Sequence, residues 1–93
     1  MPTTIERPRV RDSRGVGCGG CQVVLYNDDH NAYEYVVRCV MQVFGHPESM
    51  ARKITEEAHR KGRAVAEVED AEQAAAHASM LGGLGLKAEV EAF

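Results

Sequence analysis

Nowhere in its 93 residues does the chain hold an unbroken apolar stretch long enough to cross a bilayer, so no membrane-spanning helix is expected. Its start, Met-Pro-Thr-Thr-Ile-Glu, has neither the basic end nor the apolar block of a secretory signal. Cysteine is scarce and odd in number. Three of them fit free thiols in a reducing cytoplasm, the expected compartment, better than a disulfide framework. A basic excess is also missing from most of the chain. Arg7, Arg9, Arg11 and Arg14 against Glu6 and Asp12 give residues 1–20 a side-chain charge of +2. Residues 21–93 carry seven basic and twelve acidic groups and sum to −5, which leaves −3 in all. A folded part so acidic is a poor match for nucleic acid, whose binding rests on neutralising phosphates. No internal repeat or low-complexity segment is visible. What is there, 44% hydrophobic and 27% charged residues, suits one small soluble domain with a modest core.

Residues 1–20 hold two prolines, four glycines and scattered arginines with no apolar period, which predicts a flexible N-terminal extension ahead of a domain at 21–93. Val23, Val24, Leu25 and Tyr26 form a short β-rich run. Asn31 with Glu34 three residues on has the form of a capping box, and Tyr33, Val36, Val37, Val40 and Phe44 recur at helical spacing. Gly45 ends that helix and Pro47 suits the first turn of the next, which carries Met50, Ala51, Ile54 and Ala58 on one face and closes at Gly62. Ala64, Ala66 and Val68 alternate with Val65, Glu67 and Glu69 as a half-exposed strand. Asp70 caps a third helix whose inner stripe is Ala71, Ala74, Ala75, Ala78 and Leu81, and Gly82 and Gly83 stop it. A last strand is expected from Leu86, with Ala88, Val90 and Ala92 alternating with charged residues. The order β-α-α-β-α-β predicts an α+β two-layer sandwich, with a three-stranded antiparallel sheet and three helices on one face.

Several candidate sites fail on context. Cys18-Gly-Gly-Cys21 has the spacing of a zinc or dithiol pair, but no second ligand pair exists and it precedes a strand instead of opening a helix. Cys39, inside the first helix, reads as a small core residue. Gly15, Gly17 and Gly20 match a dinucleotide fingerprint by spacing alone, again ahead of the first strand. His30, His46, His59 and His77 share no ligand spacing, and no Ser-His-Asp set or paired glycosidase carboxylates are present, so no catalytic residue and no cofactor are expected. Asn27-Asp28-Asp29 is different. It ends the first strand and precedes a helix start, gathering an amide and two carboxylates at an element junction. Such a rim attracts a metal ion, an ammonium group or an arginine, although Asn and Asp are also common in plain turns and caps.

Val24-Leu25-Tyr26-Asn27-Asp28-Asp29, followed after a helix by His59-Arg60-Lys61-Gly62-Arg63-Ala64-Val65, resembles the ClpS family of Clp protease adaptors, from about Gln22 to Val90. The resemblance implies the same β-α-α-β-α-β sandwich behind a flexible extension, and a non-enzymatic cytoplasmic monomer. Such a monomer binds N-degrons, proteins with a bulky apolar first residue, and hands them to a Clp AAA+ unfoldase of ClpA or ClpC type. It implies that Asn27, Asp28 and His59 hold the substrate's α-amino group. An ammonium offers three donors and one charge, which an amide oxygen, a carboxylate and a neutral imidazole suit, so protonating His59 should weaken binding. It further implies that Asn31, Tyr33, Val36, Thr55, Ala58 and Leu86 line a cavity for the first side chain, whose burial contributes about 1.5–3 kcal/mol. Glu72 and His77 match positions that contact the unfoldase. Many members have Thr-Pro-Met where this chain has Asn31-Ala32-Tyr33, the methionine excluding β-branched residues. Thr55 replaces a second common methionine, and Ala58 a valine. With His77 these substitutions resemble cyanobacterial members. Two other readings of the chain are a structural interaction domain of ribosomal-stalk-like topology and a small metal-binding module.

Overall fold

The computed structural model describes residues 20–92. The expected N-terminal extension lies outside them up to residue 19, as do Gly15, Gly17, Cys18 and Phe93. The elements are β1 (Cys21–Tyr26), α1 (Tyr33–Phe44), α2 (Glu48–Lys61), β2 (Arg63–Glu69), α3 (Ala71–Gly83) and β3 (Ala88–Ala92). This is the expected β-α-α-β-α-β order, and the sheet is antiparallel throughout with β1 in the middle, β2-β1-β3. The central place of β1 explains its composition. Val23 and Leu25 join the core under the helices, while Val24 points to the other face and is nevertheless fully buried. Within the helical layer α2 packs on β2 and β1, α3 on β3 and β1, and α1 lies against both helices. Val36, Val37, Cys39, Val40 and Val43 supply the buried face of α1.

Val24 owes its burial to a polar strap across the open face. Arg63 of β2 stands opposite Tyr26, and Glu91 of β3 opposite Gln22, so the Arg63 Nη2 to Glu91 Oε1 bond of 2.7 Å crosses β1 above the residue between them. Gln22 Nε2 donates to the same Glu91 oxygen, and the Arg63 guanidinium sits over the Tyr26 ring. Arg63 first, then Gln22, hold the Glu91 carboxyl below its usual range. A lowered native pKa means that the strap's contribution is full above the ordinary glutamate range and is lost as pH falls through the lowered value. Arg63→Ala is therefore expected to lower the urea midpoint at pH 7 and to reduce the further loss on acidification to pH 4. Parallel urea titrations at the two pH values check this, and an unchanged midpoint at pH 7 would show the strap to be inert.

The local details depart from the sequence pattern in instructive ways. The α1 N-cap is Ala32, without a side-chain cap bond, so the Asn31/Glu34 capping box does not form. The Asn31 amide is committed elsewhere, to Asp28 and Gly85. Asp70 does cap α3, its Oδ1 accepting from the Gln73 N–H at 2.9 Å. Helix α3 runs through Gly82 and Gly83, and the left-handed residue that turns the chain is Gly85, at φ +91°. In the α3 stripe Ala74 and Leu81 are buried and Ala78 is half-buried, whereas Ala71 and Ala75 are exposed, one in the opening turn and the other a step off the 74-78-81 line. Met50, in the first turn of α2, is exposed as well. Strand β3 begins at Ala88, and Leu86 is a buried residue of the turn before it.

The largest departure is in β2. Val23 pairs with Glu67 but Val24 with Val65, so Ala66 is an extra residue and the alternation slips by one. Val68 then falls on the open face, 52% exposed, instead of in the core. Glu67 and Glu69 turn towards the helices, where two histidines meet them. His46 Nε2 lies 3.1 Å from Glu67 and His77 Nδ1 2.6 Å from Glu69, with the Phe44 ring against both imidazoles.

Candidate functional site

At the end of the sheet where β1 runs out, the chain leaves a cavity of about 290 Å³. Five segments build it: the end of β1, the loop after it, the start of α1, the last two turns of α2, and the turn into β3. Helix α2 is placed by its left-handed C-cap Gly62, whose N–H reaches the Ala58 carbonyl while its own carbonyl accepts from the Asn27 N–H at 3.0 Å. One glycine thus fixes the loop after β1 beside the end of α2, bringing Asn27 and Asp28 near His59.

The lining is graded in polarity. Leu25, Val36, Thr55, Ala58 and Leu86 are buried and form the inner wall, while Asn27, Asp29 and His59 are exposed and stand with half-buried Asp28 around the mouth. Thr55 is a buried polar residue, and its hydroxyl donates to the Ala51 carbonyl at 2.8 Å, so the apolar wall contains no unpaired donor from it. Tyr33 lines the outer wall and its hydroxyl donates to the Arg52 carbonyl. The Arg52 guanidinium in turn clasps Glu34 with two bonds, at 2.7 and 2.9 Å, and also bonds Glu48. The start of α1 is thereby pinned to α2 beside the cavity.

Of the two carboxylates at the mouth, Asp29 and Asp28, the second is held in place by hydrogen bonds. Its Oδ1 accepts from the His30 N–H at 2.7 Å and its Oδ2 from the Asn31 amide at 2.5 Å. The His30 bond first, then the Asn31 bond, favour the ionised form and hold the carboxyl below its usual range. With two donors already bound, a carboxylate still has acceptor capacity for an incoming cation. Chemically, the site combines an apolar recess with a mouth of oxygen and imidazole acceptors. It suits a ligand with a positive donor at one end and an apolar group next to it.

All nine residues expected to form the amine site and the side-chain cavity line this one cavity: Asn27, Asp28, Asn31, Tyr33, Val36, Thr55, Ala58, His59 and Leu86. The sequence reading missed Leu25 and Tyr26, whose position directly before the triplet is the signal that points to them. Glu72 and His77 stand apart from it. Glu72 is exposed in the first turn of α3. His77, bonded to Glu69 and half-buried, lies at the opposite end of the sheet, where Glu69 pairs with Cys21. Among the described residues, Cys21 and Cys39 are free, buried thiols, and no group of three His, Cys, Asp or Glu side chains could hold a metal ion.

An α+β domain whose cavity combines an apolar wall with a few polar and charged groups at its mouth belongs to the class of small ligand-recognition domains. The particular family follows from comparison: residues 20–89 match the family model described as ATP-dependent Clp protease adaptor protein ClpS, and the chain belongs to that family. Among solved structures it is similar to Agrobacterium tumefaciens ClpS2 bound to L-phenylalaninamide. The match has a TM-score of 0.76 and 30% identity, and covers 78% of this chain and 95% of that one.

Proposed function

We propose that this adaptor binds proteins by a free, bulky apolar N-terminal residue and delivers them to a Clp AAA+ unfoldase of ClpA or ClpC type, acting as a monomer. The α-ammonium sits among Asn27, Asp28 and His59, and the first side chain enters the recess walled by Val36, Thr55, Ala58 and Leu86. The observation that carries this reading is the pairing, within one cavity of about 290 Å³, of a charged acceptor mouth with an apolar wall. It agrees with the relative's ligand, since L-phenylalaninamide has a free α-amine next to a benzyl group. On this reading Glu72 and His77 belong to the surface that meets the unfoldase, well away from the bound N-terminus.

Fluorescence anisotropy with a peptide starting in Phe tests the binding half. The free peptide should bind and its N-acetylated form should lose roughly a hundredfold or more, because acetylation removes the charge and leaves the acceptors unpaired. Equal affinity for the two forms would overturn the reading. Degradation of a reporter starting in Phe by a reconstituted Clp protease, with and without the adaptor, tests delivery.

A further inference from the structure

The segment ahead of α1 does more than line the cavity. The Asn31 side-chain nitrogen donates to Asp28 Oδ2 at 2.5 Å and to the Gly85 carbonyl at 3.0 Å. Both partners are acceptors only, so the amide orientation is fixed by chemistry, and both N–H groups of the amide are consumed. Nothing of that donor pair is left for a ligand. Four residues on, the Tyr35 hydroxyl donates to the Leu84 carbonyl at 2.6 Å. The residue before the α1 N-cap and one in the first turn of α1 therefore grip two successive carbonyls of the turn between α3 and β3. That turn is otherwise held from behind, by Leu86 N–H on the Leu81 carbonyl and by Tyr26 N–H on the Lys87 carbonyl, and it carries Leu86 into the cavity wall.

We infer that Asn31 is a positioning residue: one amide fixes the carboxylate of Asp28, in the cation-accepting mouth, to the turn that carries Leu86, in the apolar wall. This rests on the peptide-binding reading above and goes beyond it, because it removes Asn31 from the residues that touch the side chain and makes it the link between the two halves of the site. The direction of the Asp28 shift agrees, the Asn31 bond being its second cause after the His30 N–H. The neighbouring tether separates the two effects, since Tyr35→Phe releases the turn at Leu84 and leaves Asp28 untouched.

The test has two arms. In the peptide-free protein, the side-chain carboxyl of Asp28 is titrated by carbon-detected NMR in the wild type, Asn31→Ala, Asn31→Ser and Tyr35→Phe, with thermal melts to verify folding. The midpoint should move to higher pH in both Asn31 variants and stay in place in Tyr35→Phe. In the second arm, binding of the Phe peptide at pH 7 should weaken roughly tenfold in the Asn31 variants, the effect of losing one bond to a charged group. The acid limb of binding should move to higher pH with it. An unmoved Asp28 midpoint in folded Asn31→Ala and Asn31→Ser would overturn the inference. So would a changed preference between Phe and Leu peptides with the acid limb in place, because that is the behaviour of a residue that merely lines the recess. The titration needs no peptide, so its outcome is independent of whether the peptide reading holds.

Discussion

Asp28→Ala is expected to weaken binding of a Phe-initiated peptide by roughly thirty- to a hundredfold, about 2–3 kcal/mol, the range found when one partner of a hydrogen-bonded charge pair is truncated. The carboxylate is the cavity mouth's charged, preorganised acceptor, fixed by the His30 N–H and the Asn31 amide before any ligand arrives. Asp28→Asn, which keeps the size and removes the charge, should weaken binding in the same direction. Anisotropy titrations check both, and an affinity within threefold of the wild type for Asp28→Ala would refute the assignment. The pH profile sharpens it. Because the Asp28 carboxyl is held below its ordinary value of 3.8, it is ionised across the neutral and mildly acidic range and contributes no pH dependence there. Its contribution is lost only as pH falls through the lowered value.

The second large effect concerns the scaffold. Leu81→Ala should destabilise the domain by about 2–5 kcal/mol, the cost of a fully buried leucine truncated in a packed core. A domain this small has a total stability of roughly 4–11 kcal/mol, so the variant should melt at least about 10 °C lower and be partly unfolded at physiological temperature. The turn that carries Leu86 should suffer with it, because the Leu81 carbonyl accepts from the N–H groups of Leu84 and Leu86. Met80→Ala, one residue away on the exposed side of α3, should change stability by less than about 0.5 kcal/mol. Thermal melts by circular dichroism compare the two. Similar melting points would mean that α3 is not docked as described.

Much of the fold could be read along the chain because local chemistry and tertiary outcome agree there. Gly45 and Gly62 are left-handed C-caps where the apolar periods end, and Asp70 caps α3 as its position suggests. The failures share a cause. Asn31 has good local reasons to cap α1, yet Asp28, three residues back, and the Gly85 carbonyl, distant in sequence, hold its amide. Alternation assigns Val68 to the core, but a bulge at Ala66 reverses the faces beyond it. In both cases a contact distant in sequence outweighs a preference worth about a kilocalorie per mole.

For the site, the sequence by itself determined the chemistry: which residues carry charge, which are apolar, and the pattern of triplet and later histidine that resembles ClpS. It could not determine geometry. Whether Asn27 and Asp28 stand near His59 depends on the Gly62 carbonyl reaching the Asn27 N–H, a contact made only when α2 closes back onto the end of β1. Whether Leu86 belongs to a strand or to a cavity wall depends on the turn at Gly85 and the side chains that grip its carbonyls. A one-dimensional pattern records what each residue can do, and only the folded chain decides which partners come within hydrogen-bonding distance.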